Sequence, residues 1–188
     1  MMRIRLVFLL ALAALPLVQG CIPLAITGAG TAALMATDRR SAGTYVDDEG
    51  IELKALARLH EFSAAHVSAT SFNRRVLLTG QVSEPTVRKR IQEAVRTIPN
   101  VREVIDETEV AGASSLASRG NDALITSNVK ARMVNNNRFS PNHVKVVTEA
   151  GVVYLMGLVT RDEAEAAVDI ARTTSGVSRV VKEFEYQG

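Results

Sequence analysis

Apolar residues Ile125, Val129 and Met133 recur every four positions, which predicts a helix that Asp122 opens as N-cap and that ends at Asn135-Asn136-Asn137 before Pro141. Two β-rich runs follow, Val144 to Thr148 and Val152 to Val159, around a turn at Glu149-Ala150-Gly151. Helical spacing returns near Thr160-Arg161-Asp162-Glu163, where the acidic residues suit a helix first turn. Gly176 is expected to close that helix in a left-handed conformation, and Val177 to Tyr186 reads as a last strand. The order is helix, strand, strand, helix, strand.

The same order is written twice. At a shift of 77 residues His66-Val67 falls on His143-Val144, Val76 on Val153, Leu78 on Leu155, Gly80 on Gly157 and Val82 on Val159. At a shift of 74, Ile51 falls on Ile125 and Arg58 on Arg132, and at 76, Asn100-Val101 falls on Gly176-Val177. The chain therefore reads as an α+β protein of two tandem small domains, each a three-stranded mixed sheet packed on two helices. The expected division is 45–112 and 119–188, joined by a short linker at 113–118 in a stretch rich in Gly, Ala and Ser.

The start of the chain has a different pattern. Arg3 and Arg5 precede an apolar run from Leu6 to Leu17, too short to span a bilayer, and Gly20 precedes the single cysteine, Cys21. Residues 1–20 read as a secretory signal. Val18-Gln19-Gly20-Cys21 resembles the bacterial lipobox, which implies acylation of Cys21, palmitate included; an ordinary secreted protein is the alternative. Ile22, rather than an Asp, follows the cysteine, and by the same resemblance this directs the product to the outer membrane. Residues 21–44 are then the lipidated N-terminus and a tether, either flexible or lying along the membrane surface, with Asp38-Arg39-Arg40-Ser41 as a polar hinge.

Composition narrows the chemistry. The formal charge of +2 falls to 0 once Arg3 and Arg5 are removed, and there is no Trp, so nucleic acid is not an expected partner. One cysteine excludes an intramolecular disulfide and a thiolate zinc cluster. His66 and His143 occupy equivalent repeat positions without a third ligand in the pattern, and read as structural. The carboxylates of Asp47-Asp48-Glu49 and of Glu103 to Glu109 read as solvated faces and helix starts. No phosphate loop, serine elbow or metal motif is present, so neither enzymatic activity nor a cofactor is expected.

Gly80-Gln81-Val82 and Gly157-Leu158-Val159, each followed by a helix and then by Ile98-Pro99-Asn100-Val101 or Ser175-Gly176-Val177, resemble the BON domain. The lead-in Ala36-Thr37-Asp38-Arg39-Arg40-Ser41, with Val46-Asp47-Asp48, resembles that of dual-BON outer-membrane lipoproteins of the DolP type. This resemblance implies a periplasm-facing lipoprotein that supports envelope integrity, binds anionic phospholipid through its second BON domain and gathers at division sites. It also implies an aromatic near the position of Leu124, and Leu inserts less firmly than Trp at an interface.

Charge separates the two copies independently. From Arg119 to Lys145 five cations, Arg119, Lys130, Arg132, Arg138 and Lys145, face one acid, Asp122, whereas Gly50 to Ser68 balances two of each sign. The second copy is thus the membrane-attractive one, at about 1 kcal/mol per engaged cation. The expected phospholipid contacts are Lys130, Arg132 and Arg138, with Leu124, Val134 and Phe139 as apolar additions, while Ile125, Val129 and Met133 belong to the core. A solvated charge is the plain alternative for Arg132. An alternative function is a periplasmic adaptor, in which the less charged first domain and exposed sheet edges bind outer-membrane assembly proteins.

Overall fold

The computed structural model describes residues 38–62 and 65–187. The signal, Cys21 and most of the tether lie outside them. Each domain has the expected order: α1 (Ala42–Leu59), β1 (His66–Phe72), β2 (Arg75–Val82), α2 (Pro85–Arg96) and β3 (Glu103–Val110) in the first; α3 (Leu116–Val134), a 3-10 turn (Pro141–His143), β4 (Val144–Glu149), β5 (Val152–Val159), α4 (Arg161–Arg172) and β6 (Arg179–Tyr186) in the second. In both sheets the middle strand pairs antiparallel with the strand before it and parallel with the strand after the helical crossover. No helix among the described residues is long and apolar enough to cross a membrane.

Alternation along the middle strands sorts side chains between two cores. Val76, Leu78 and Val82 join Ile51 and Ala55 of α1 and Ile91 and Val95 of α2 beneath the first pair of helices. Val153, Leu155 and Val159 do the same with Ile125, Val129 and Met133 of α3 and the alanines of α4. The other faces of the two sheets meet each other: Phe72 and Leu77 form one buried cluster with Tyr154 and Met156. The molecule is therefore four layers, helices, sheet, sheet, helices, with the sheets stacked face to face. Arg75 at the start of β2 donates to the carbonyl of Glu183 in β6, and Gln81 at its end donates to Glu149 in β4, so the paired sheets run in opposite directions.

Gly80 and Gly157 are required by close approach. A Cβ on Gly80 would stand 2.0 Å from the carbonyl oxygen of His66, and one on Gly157 would stand 2.5 Å from that of His143. Gly80 also has φ +111°, a region that L side chains rarely adopt.

Two expectations about buried acids are corrected. Helix α3 opens at Leu116 with Ser115 as N-cap, so Asp122 is not its cap. Asp122 lies buried within the helix, and its carboxylate accepts from the amides of Ala150 and Gly151, tying the helix to the β4–β5 turn. Asp48, one repeat earlier, does the same for the amides of Asn73 and Arg74 and is not a solvated acid. A helix interior is a poor place for Asp by propensity; the tight turn, in which Ala150 has φ 49°, supplies the two amides that the Asp122 carboxylate satisfies.

The polar lead-in is a strap rather than a hinge. Arg39 makes a forked pair with Glu163, at 2.6 and 2.9 Å, and donates to the carbonyl of Leu158. Arg40 pairs with Asp38 and Asp48 and lies 4.1 Å from the ring centroid of Phe72. Gly176 has the expected positive φ, yet α4 ends at Arg172, so the glycine shapes the following turn; Asn100 takes that conformation in the first domain.

Candidate functional site

Helix α3 turns Ile125, Val129 and Met133 inward as expected, which leaves Leu124 and Val134 each 65% exposed. Lys130, Arg132 and Arg138 are exposed too. Two residues on a helix are separated by about 200°, so Lys130 and Arg132 leave from opposite flanks of the outward face, with Leu124 between them. Arg132 reaches over the end of α4, where its guanidinium donates to the carbonyl of Ile170 and to the hydroxyls of Thr173 and Thr174. This satisfies a helix-terminal carbonyl without neutralising the cation. Lys130 points the other way, into a cleft whose far wall carries Tyr45 and Glu49 of α1, and makes no ion pair among the described residues.

The remaining expected members separate. Phe139 is only 8% exposed and packs in the core of the second domain, because the turn held by Asn136 folds it back under α3; it is not available for insertion into a membrane. Lys145 is spent on the first domain, with its Nζ 2.6 Å from a Glu52 carboxylate oxygen and donating also to the carbonyl of Ser71. Arg119 is half-buried beside β4. Lys130, Arg132 and Arg138 are the cations left on the surface of this region, and α3 presents no carboxylate beside them, since Asp122 is its only acid and is engaged by the turn.

The matching helix of the first domain differs. Opposite its buried Ile51 and Ala55, α1 exposes Val46, Leu53 and Leu56, all above 60%, with Glu49, Lys54 and Arg58 around them. It exposes three large apolar residues, as α3 does with Leu116, Leu124 and Val134, but without the unopposed cations.

Burial also affects several carboxyls. It would raise Glu163, but hydrogen bonds from Arg39 and the Thr160 amide hold that carboxyl below its ordinary value. Asp38 is likewise lowered against desolvation by Arg40. Glu183, between the sheets, is raised by burial and by Glu107 and Glu103 despite Arg75. These are structural ion-pair effects at the strap and the stacked sheets, away from the outward face of α3. His143 lies 3.4 Å from Glu163, as part of the same strap. The partners of Arg39 lie more than a hundred positions away and leave no local signal, whereas Arg40 pairs with nearby Asp38 and Asp48; Asp48 and Asp122 could have been found, since they coincide at the repeat shift of 74.

Comparison with known proteins agrees with this architecture. The model of the BON domain matches residues 47–112 and 121–188. The chain is 40% identical over 172 residues to the Outer membrane lipoprotein DolP of Haemophilus influenzae, covering 89% of each protein. It is 30% identical over 153 residues to the 21 kDa hemolysin of Actinobacillus pleuropneumoniae, covering 79% of each. It is 28% identical over 149 residues to Osmotically-inducible protein Y of Escherichia coli, covering 76% of this chain and 74% of that protein. None of the three is named as an enzyme. The chain belongs to the BON-domain family, as a tandem two-domain member of the DolP-like lipoproteins.

Proposed function

We propose that this chain is a lipid-anchored outer-membrane protein, held by acyl chains on Cys21 with its folded body in the periplasm, and that the outward face of α3 binds anionic phospholipid. The observation that carries this reading is the withdrawal of Asp122 into the hairpin turn, which leaves Lys130, Arg132 and Arg138 around Leu124 and Val134 with no acid on the helix to oppose them. Three engaged cations contribute about 3 kcal/mol, enough for weak, salt-sensitive association of the unanchored chain with a concentrated anionic vesicle surface. An acyl anchor changes that arithmetic by holding the helix at a high effective concentration near the headgroups. The anchor sets location and the cations set orientation. Envelope support, at division sites among others, is the cellular role we attach to this arrangement. Flotation of the unlipidated mature chain with vesicles tests it: binding should need anionic lipid and should weaken as salt is raised.

A protein-binding adaptor remains as a second reading, favoured by the exposed Val46, Leu53 and Leu56 of α1. The two surfaces lie on different helices, so one molecule has room for both.

A further inference from the structure

The two domains differ at their outer sheet edges. In the first, β3 is an edge strand, and side chains close two of its outward backbone groups, the Asp106 carbonyl and the Thr108 amide. Arg88 of α2 donates to the carbonyl of Asp106 at 3.2 Å and to its carboxylate at 2.6 Å. That carboxylate accepts from the amide of Thr108 at 2.9 Å, and Gln92 also donates to it. Burial alone would raise the Asp106 carboxyl, but these bonds hold it below its ordinary value. An edge closed in this way cannot pair with another strand.

The second domain has lost every part of that closure. Asp106 stands opposite Leu78, and Lys182 of β6 stands opposite Leu155 in the same register. At the repeat shift of 76, Arg88 becomes Ala164, Gln92 becomes Val168 and Asp106 becomes Lys182. The carbonyl of Lys182 and the amide of Phe184 therefore occupy the outward positions that Arg88 and the Asp106 carboxylate satisfy in the first domain. Neither has a side-chain partner among the described residues. Where the larger side chains would stand, a cleft of about 370 Å³ opens between α4 and β6, floored by Ala164, Val168 and Tyr186. Lys182 makes no ion pair, Arg161 lies 5.3 Å from the ring centroid of Tyr186, and Arg172 is engaged by Asp169.

We propose that β6 accepts an extended segment of a partner protein as a fourth strand of the second sheet. The segment gives an N–H to the Lys182 carbonyl and takes the Phe184 N–H on its own carbonyl. It sets one apolar side chain on Ala164 and Val168, and the acidic side chain two positions along, on the same strand face, against Lys182 and Arg161. Main-chain bonds supply affinity and the cleft supplies selection. The occupant is an acidic, extended peptide because the cations free at the rim outnumber the one free acid, Glu165. This surface is separate from the outward face of α3.

The test uses the mature chain and two synthetic octapeptides, one carrying Val and Glu in turn along one strand face and one carrying Val and Lys there, with Thr at every intervening position, and amide exchange and NMR shifts as readout. The Val-Glu peptide should bind and slow exchange at the Phe184 amide. Transplanting the closure of the first domain, A164R with K182D, should weaken that binding by about tenfold or more, equivalent to at least about 1.4 kcal/mol. Should that double variant misfold, Lys182→Glu alone should reverse the preference toward the Val-Lys peptide. No binding, equal binding by the closed variant, shifts confined to α3, or pairing of β6 with a second copy of the chain would each overturn the proposal.

Discussion

Lys145 in β4 places its ammonium 2.6 Å from a carboxylate oxygen of Glu52 in α1, so one of the five cations counted between Arg119 and Lys145 joins the two domains. The same oxygen of Glu52 accepts the amide of Ser71, which fixes it in place. About a third of each side chain is exposed, and solvent screening limits the pair to about 0.5–1 kcal/mol. Lys145→Met should lower stability in urea by that amount and leave binding to anionic vesicles unchanged. Weaker vesicle binding by this variant would add Lys145 to the lipid site and contradict this assignment.

The strap gives the fold an acid sensitivity. Glu163 and Asp38 have lowered folded-state values, so the stability they add is present above their unfolded values of about 4.5 and 3.8 and is lost as pH falls through the folded values. Glu183 is raised, acts in the opposite sense and offsets part of this loss. Arg39→Ala should cost about 1–2 kcal/mol at pH 7 and less at pH 3. Urea titrations of both proteins at the two pH values measure the difference, and equal costs would mean that Arg39 and Glu163 are not coupled.

Between the sheets, Tyr154 is 3% exposed, and burial with the nearby Glu107 charge pushes its hydroxyl up to about 12. Its contribution is complete below the unfolded value near 10 and is lost as pH rises from there toward 12, at about 1.4 kcal/mol per pH unit. Tyr154→Phe should flatten this alkaline limb in thermal melts. Tyr154→Ala should cost about 3–5 kcal/mol by opening a cavity between the sheets.

Gly80→Ala and Gly157→Ala each force a methyl group against a neighbouring strand carbonyl, at 2.0 and 2.5 Å. Each should destabilise its own domain by about 2 kcal/mol or more, Gly80 the more severely because of its positive φ. Residue-resolved hydrogen exchange reads the damage domain by domain, and unchanged protection in β1 and β2 of the Gly80 variant would contradict the close approach.

Period-two and period-four spacing, together with the shifts of 77, 74 and 76, make the two domains and nearly every element legible. The stacking of the sheets was also signalled, by the unbroken apolar runs Val76-Leu77-Leu78 and Val152 to Met156, because a strand buried on both faces does not alternate. The sequence reading used only one face of each run and so left the second face without a partner. Asp122 was misplaced because an Asp ahead of an apolar helix stripe has the look of a cap, whereas its amides come from a turn 28 positions away. At the candidate site, local charge counting points to Lys130, Arg132 and Arg138, which the structure leaves exposed. It could not foresee that Lys145 would pair with Glu52, nor that the turn at Asn136 would fold Phe139 inward.

Flotation of the charge-reversed chain tests the central claim most directly. With vesicles containing phosphatidylglycerol at low salt, the mature unlipidated chain should co-float, and the variant carrying Lys130→Glu and Arg132→Glu should remain at the bottom of the gradient. Equal flotation of the two proteins would contradict the assignment of lipid binding to α3.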